Sequence, residues 1–174
     1  MLEEDRPEAV NRVSFFTAVR QSVSTPLAVA GLAVGFGISG ANQLVSVVFG
    51  LWIENSFGIQ LSALAAASAV IGLSELGGEG IVTTLADKFG KRRVVILGII
   101  GNMIACLILP FSAINLTLAL IGLFLFYFTF ETALVATIPL ATELSPNSRA
   151  MYMTVLVSAV TFGRALATPL APML

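Results

Sequence analysis

Four ionisable side chains lie inside long apolar stretches of the sequence, where a charge is costly. Glu75 and Glu79 are four residues apart, so a helix would present both on the same side. Glu131 and Arg164 each stand alone in a later apolar run. Burial and a neighbouring carboxylate both favour the protonated form of a carboxyl group, and a long arginine side chain can reach toward either carboxylate. The pattern indicates proton uptake and release, with a buried ion pair as the alternative.

The composition predicts a protein that lies in a lipid bilayer. Of the 174 residues, 57% are hydrophobic and 11% are charged, and the mean hydropathy is +0.96. The sequence has no histidine and one cysteine, Cys106, which excludes disulfides within the chain, thiolate zinc sites and histidine-based acid–base catalysis. The net charge of −1 argues against binding to nucleic acid. We therefore expect no enzyme activity, no metal, no cofactor and no nucleic-acid partner.

Five apolar stretches are long enough to cross a bilayer, for which a helix needs about 20 residues. They predict an all-α fold, a polytopic transmembrane helix bundle that occupies residues 25–174. Residues 1–24 are rich in charged residues, unlike the apolar stretch that follows them. They predict a cytoplasmic tail followed by an amphipathic segment at the membrane surface. The third span has no ionisable residue, so lipid can cover most of it. The expected spans are 26–52, 61–85, 94–110, 116–141 and 151–170.

The basic residues of the loops predict the orientation, because lysine and arginine stay preferentially on the cytoplasmic side. They occur before the first span, between the second and third, and between the fourth and fifth, whereas the other two loops have none. The N-terminus is therefore expected in the cytoplasm and Leu174 near the outer face, in the inner (plasma) membrane of a bacterium. Because the chain ends directly after a span, we also expect it to be truncated.

Two loops on the predicted cytoplasmic side carry a recognisable pattern. Residues 85–93 read LADKFGKRR, which resembles the cytoplasmic loop of the major facilitator superfamily: a small residue, Asp, a basic residue, any residue, Gly and two basic residues. Residues 143–149 read ELSPNSR and resemble the shorter loop two spans later in that family. Thr83 stands where the family has a glycine. Each loop has an alternative interpretation. The first can be a basic turn of an unrelated membrane protein, and in the second Glu143 and Arg149 can be solvated loop charges.

The resemblance implies five spans of a six-span major facilitator half. The first and fourth spans would line a central cavity, the second and fifth would contact the other half, and the third would lie outside. The charged leader favours the second half, spans seven to eleven, whereas Met1 and the small residues of 163–169 keep the first half open. The implied cytoplasmic gate network comprises Asp87, Lys88, Gly90, Lys91, Arg92, Arg93, Glu79, Glu143 and Arg149.

Depth in the membrane predicts which residues share a cavity. Glu131 and Glu75 each lie about 15 residues from the outer end of their spans, roughly 22 Å deep at about 1.5 Å per residue. Helix packing and interhelical hydrogen bonds are the alternative roles for the polar members of this set. The candidates for proton coupling or for the substrate cavity are Glu131, Glu75, Arg164, Asn42, Gln43 and Tyr127.

The residues and the resemblance together predict secondary active transport of a small organic solute, exported in exchange for protons, as in sugar and drug efflux permeases. The expected partners are the lipid bilayer, the solute, protons and the other transporter half, without which alternating access is impossible. One alternative is a uniporter or importer in which Glu131 and Arg164 bind substrate and move no proton. Another is a non-transporting scaffold that binds partners through small-residue faces.

Overall fold

The computed structural model describes residues 14–58, 61–145 and 148–173, and within these ranges it contains helices and no strand. Short 3-10 turns follow the fourth and sixth helices, at Leu109–Ser112 and Ala171–Met173. The predicted all-α fold is confirmed. The helices are α1 (Phe15–Ser22), α2 (Pro26–Phe57), α3 (Leu61–Phe89), α4 (Lys91–Ile108), α5 (Leu116–Leu144) and α6 (Arg149–Ala167).

The helices α2 to α6 are each long and apolar enough to cross a membrane, α4 and α6 together with their 3-10 turns, as the sequence predicted. Most of them run past the predicted spans because hydropathy marks only the part that lipid surrounds, whereas a helix continues until its backbone is capped. α2 extends to Phe57, where the Gly58 N–H donates to the Glu54 carbonyl at 2.8 Å. α3 extends to Phe89, and Gly90 ends it at a φ of 86°. The connection expected between the second and third spans is therefore reduced to Gly90, since the residues on either side of it are helical.

Side-chain caps fix where two of the spans begin. The Thr25 hydroxyl accepts a hydrogen bond from the Ala28 N–H at 3.1 Å, and Pro26 occupies the first turn of α2, where its missing N–H costs nothing. The Asn115 side chain accepts from the Leu118 N–H at 2.9 Å at the start of α5. These caps set the depth at which each span starts.

Helix α5 is the centre of the bundle. It packs against α2, α3, α4 and α6, while α2 also pairs with α6 and α3 with α4. Toward its N-terminal end, Leu123 and Phe126 are fully buried beside Ile53 of α2. Toward its other end, Ala136 packs against α3 and α4, and Ala141 packs against α2 and α6. A residue on α5 can therefore face any of four other helices.

Glycines allow the helix backbones to approach closely at the crossings. A Cβ at Gly98 of α4 would lie 2.8 Å from the Cα of Ala133 on α5, which is closer than carbon atoms pack. A Cβ at Gly163 of α6 would collide with the carbonyl oxygen of Phe36 on α2. Small residues at such crossings are typical of membrane helices.

The uncovered faces of the spans differ in composition. Beyond its first turn, α4 exposes almost only apolar side chains. α3 exposes several leucines, but also many small and polar residues, among them Ser68, Glu79 and Thr83. An apolar face suits lipid, and a small, polar face suits contact with protein. α1 packs against α6 and exposes Phe15 and Phe16, which suits the predicted position at the membrane surface. The tail residues 1–13 lie outside the described part of the chain.

Candidate functional site

The site is centred on Glu131, at the point where α3 and α5 cross. A Cβ at Gly78 of α3 would lie 2.8 Å from the Glu131 Cβ and 2.9 Å from the Phe128 carbonyl oxygen. The two helices therefore touch through the backbone of α3, which only glycine permits. Glu75 and Glu79 lie three residues before and one residue after this glycine. The crossing consequently holds the half-buried side chain of Glu131 between two further carboxylates.

Three carboxylates from two helices share this region with one guanidinium from a third. Glu131 lies within electrostatic range of Glu75, Glu79 and Arg164. Glu75 is half buried, whereas Glu79 and Arg164 are exposed on this chain. Among the described residues none of the four forms a direct ion pair. The region therefore carries more negative than positive charge, and binding one proton would relieve repulsion there.

A hydrogen-bonded chain connects this face of α5 with α2. Tyr127 lies one helical turn from Glu131, and its hydroxyl is 2.9 Å from the Ser46 hydroxyl. Ser46 in turn donates to the side-chain oxygen of Asn42 at 3.4 Å. The structure thus brings Asn42 and Tyr127 together, and both are buried. The partly buried Gln43 takes no part in these hydrogen bonds.

Six of the nine gate candidates line an open cleft of about 550 Å³ at the end of the bundle. Lys91, in the first turn of α4, forms an ion pair with Glu143, in the last turn of α5, and their side chains are 34% and 56% exposed. This ion pair ties α4 to α5. The cleft is lined by Ala86, Asp87, Phe89, Gly90, Lys91, Arg92, Arg93, Leu140 and Glu143.

Three gate candidates lie elsewhere. Lys88 places its ammonium group 5.4 Å from the ring centroid of Phe89 and does not line the cleft. Arg149 begins α6 and is exposed outside the cleft. Glu79 lies two helical turns deeper than Asp87 and within range of Glu131. The geometry thus groups Glu79 with the intramembrane carboxylates.

Sequence reasoning missed Gly78, the residue that makes the crossing possible. Its signal was present, because residues 77–80 read GGEG inside an apolar span. Glycine is frequent in membrane helices, however, and its type alone does not say which neighbour it meets. The neighbour, Glu131, is more than 50 residues away along the chain. Only the packing of α3 on α5 identifies the pair.

Residues 15–174, which include all five spanning helices and both loops, match the model of a family described as the Major Facilitator Superfamily. The chain belongs to this superfamily. A curated major facilitator protein, the uncharacterized MFS-type transporter YceJ of Bacillus subtilis (strain 168), is 25% identical to it over 164 residues. The match covers 94% of this chain and 42% of that relative, so the chain spans less than half of the relative's length. No solved structure matches the chain.

Membership of the major facilitator superfamily settles two points. The chain is an integral membrane protein whose five apolar helices lie in the bilayer. The family to which it belongs is one of membrane transporters. The resemblance drawn from the two charged loops is therefore confirmed.

Proposed function

We propose that this chain is part of a secondary transporter that exports a small organic solute in exchange for protons. The observation that carries the proposal is Glu131, held half buried against Gly78 between two other carboxylates. Ionisable residues at this depth are expensive and are retained where ions or substrates pass. A carboxylate crowded by others has the chemistry that proton binding requires.

Protonation of Glu131 would change the forces between three helices. The carboxylate is repelled by Glu75 and Glu79 on α3 and attracted by Arg164 on α6. A proton on Glu131 removes both the repulsion and the attraction. Because the backbones of α3 and α5 already touch at this crossing, the change in force must shift one helix relative to the other. Proton uptake thus biases the packing of α5 between α3 and α6. A bias of this kind couples a bound proton to alternating access.

The other half of the transporter completes the cavity. Alternating access needs two halves that rock about a site near the midplane, and five spans enclose only one side of it. The small, polar face of α3 and the face of α6 that bears Arg164 are uncovered on this chain. We assign both faces to the contact with the other half. The charged leader before α1 favours the second half, spans seven to eleven, for this chain. In this arrangement the Lys91–Glu143 ion pair and Asp87 belong to the cytoplasmic gate.

The orientation is tested by accessibility of engineered cysteines in a Cys106→Ala background. Asn55→Cys lies at the proposed outer end of α2, and Lys88→Cys lies at the proposed cytoplasmic end of α3; both positions are exposed. In intact cells we expect a membrane-impermeant maleimide to label the Asn55→Cys variant only. In inverted vesicles it should label the Lys88→Cys variant only. The opposite pattern would reverse the proposed topology.

Transport is tested with inverted membrane vesicles that contain the intact polypeptide. A panel of lipophilic cations and sugars is offered while respiration acidifies the lumen, with vesicles lacking the protein as the control. We expect at least one solute to accumulate and to be released when a protonophore collapses the pH gradient. Solute movement that does not respond to the protonophore would replace proton coupling with facilitated diffusion. Absence of movement for every solute would favour a scaffold.

A further inference from the structure

Two polar atoms on α2 are buried without a hydrogen-bond partner. They are the hydroxyl oxygen of Ser39 and the side-chain nitrogen of Asn42, and the two residues are 0% and 5% exposed. Three residues apart, they lie on one face of the helix. Buried polar groups in proteins are almost always hydrogen-bonded, and water is the usual partner when protein supplies none. The Ser39 hydroxyl and the Asn42 amide are therefore expected to have a hydrogen-bond partner that is not part of this chain.

The two orphaned atoms lie in the seam between α2 and its neighbours α5 and α6. A Cβ at Gly35, one turn before Ser39, would meet Leu156 of α6. On one side of them, Ser46 is hydrogen-bonded to Tyr127. On the other side, Ala28 packs in one cluster with Ala141. Ser39 and Asn42 fall between these two contacts and, like Ala28, are buried. The described helices of this chain therefore enclose both residues.

The protein itself does not satisfy these two groups. Asn42 uses its side-chain oxygen to accept from Ser46, and turning the amide over would leave the oxygen unpaired instead of the nitrogen. A buried serine in a helix normally donates to a carbonyl of the preceding turn, as Ser74 does to Ile71 at 2.6 Å. Ser39 does not make this bond. Its hydroxyl and the Asn42 amide are thus both available to a third group.

We propose that Ser39 and Asn42 hold one ordered water molecule in the seam between α2, α5 and α6. Water can accept from the Asn42 N–H and can both donate to and accept from the Ser39 hydroxyl. An apolar group would satisfy neither atom, and an amide N–H does not ligate a cation. The water extends the hydrogen-bonded chain of Tyr127, Ser46 and Asn42 by one member.

Hydroxyl-radical footprinting with an X-ray pulse detects internal water directly in the intact wild-type protein, because radicals formed from a bound water oxidise the side chains beside it. Phe130 lies three residues from Tyr127 toward the Ala141 end of α5 and is 2% exposed, whereas Phe126 is 0% exposed. We expect Phe130 to be oxidised and Phe126 to stay unmodified. Oxidation of Phe130 should fall several-fold in the Ser39→Ala/Asn42→Leu double variant. No oxidation of Phe130 in the wild type, or oxidation that the double variant leaves unchanged, would overturn the proposal.

A double-mutant cycle on thermal stability provides the second test. If one water bridges both residues, Ser39→Ala and Asn42→Leu each remove a partner and lower the melting temperature, by roughly 2–4 °C. The second substitution should then add little, because the water is already lost. If the seam is dry, each substitution removes an unpaired polar group, so both should leave the melting temperature unchanged or raise it, and their effects should add. Ser74→Ala is the matched control, since its hydroxyl is bonded within its own helix; we expect it to be additive with Asn42→Leu.

Discussion

Replacing Gly78 with alanine tests the helix crossing on which the proposed site depends. The new Cβ would lie 2.8 Å from the Glu131 Cβ, whereas carbon atoms pack at about 3.5–4.0 Å, so α3 and α5 must part by roughly 0.7–1.2 Å. Overpacking of this kind costs about 1–3 kcal/mol. Alanine is the better helix former by about 1 kcal/mol, so the effect must be measured against a glycine that meets nothing. Gly72, on the same helix, has no described atom within 4 Å of its Cβ position and is the matched control.

The assay is thermal unfolding of the intact protein in detergent, followed by size-exclusion chromatography after heating. We expect Gly78→Ala to be less stable than Gly72→Ala by about 1–3 kcal/mol, which corresponds to about 2–4 °C per kcal/mol for a chain of this size. Because the helices part where Glu131 sits, proton-driven transport should fall in Gly78→Ala and persist in Gly72→Ala. Equal melting temperatures for the two variants would refute the close crossing.

Two further substitutions test contacts between other helices. Tyr152→Phe removes the hydrogen bond that the buried hydroxyl of α6 donates to the Ala28 carbonyl at 2.8 Å, and it should lower the free energy of unfolding by about 0.5–1.5 kcal/mol; unchanged chemical denaturation would contradict this bond. Lys91→Glu places a like charge beside Glu143 and should slow transport with a stability change within about 1 kcal/mol, since the pair is partly exposed. The charge reversal Lys91→Glu/Glu143→Lys should restore transport, and a double variant no better than Lys91→Glu would show that the pair has no role in the gate.

The sequence predicted the helices well because the bilayer imposes a simple constraint on it. Long uncharged runs have one stable outcome in lipid, so five spans and their order follow from hydropathy alone. The ends of the helices were less predictable. High hydropathy marks only the residues that lipid surrounds, whereas the helix continues until its backbone is capped. α2 was expected to end at residue 52 and instead reaches Phe57, where Gly58 ends it.

The candidate site was only partly predictable from the sequence. Charge inside an apolar run identified Glu75 and Glu131, and depth counted along each helix indicated that they lie in the same layer. Rotation of a helix about its axis is set by packing, which is why the pairing of Tyr127 with Ser46 and the contact of Glu131 with Gly78 emerged only from the structure. The hydropathy of these helices has little directional bias that would have revealed their rotation.

The most direct test of Glu131 as the proton site measures proton-driven accumulation and solute exchange separately. Inverted vesicles carrying wild type, Glu131→Gln or Glu54→Gln are assayed twice, for accumulation driven by a pH gradient and for exchange of labelled against unlabelled solute without a gradient. Glu54 lies near the C-terminal end of α2, outside the proposed site, so Glu54→Gln should retain both activities. We expect Glu131→Gln to lose gradient-driven accumulation and to keep exchange. Accumulation in Glu131→Gln equal to that of the wild type would contradict the assignment of Glu131 as the proton site.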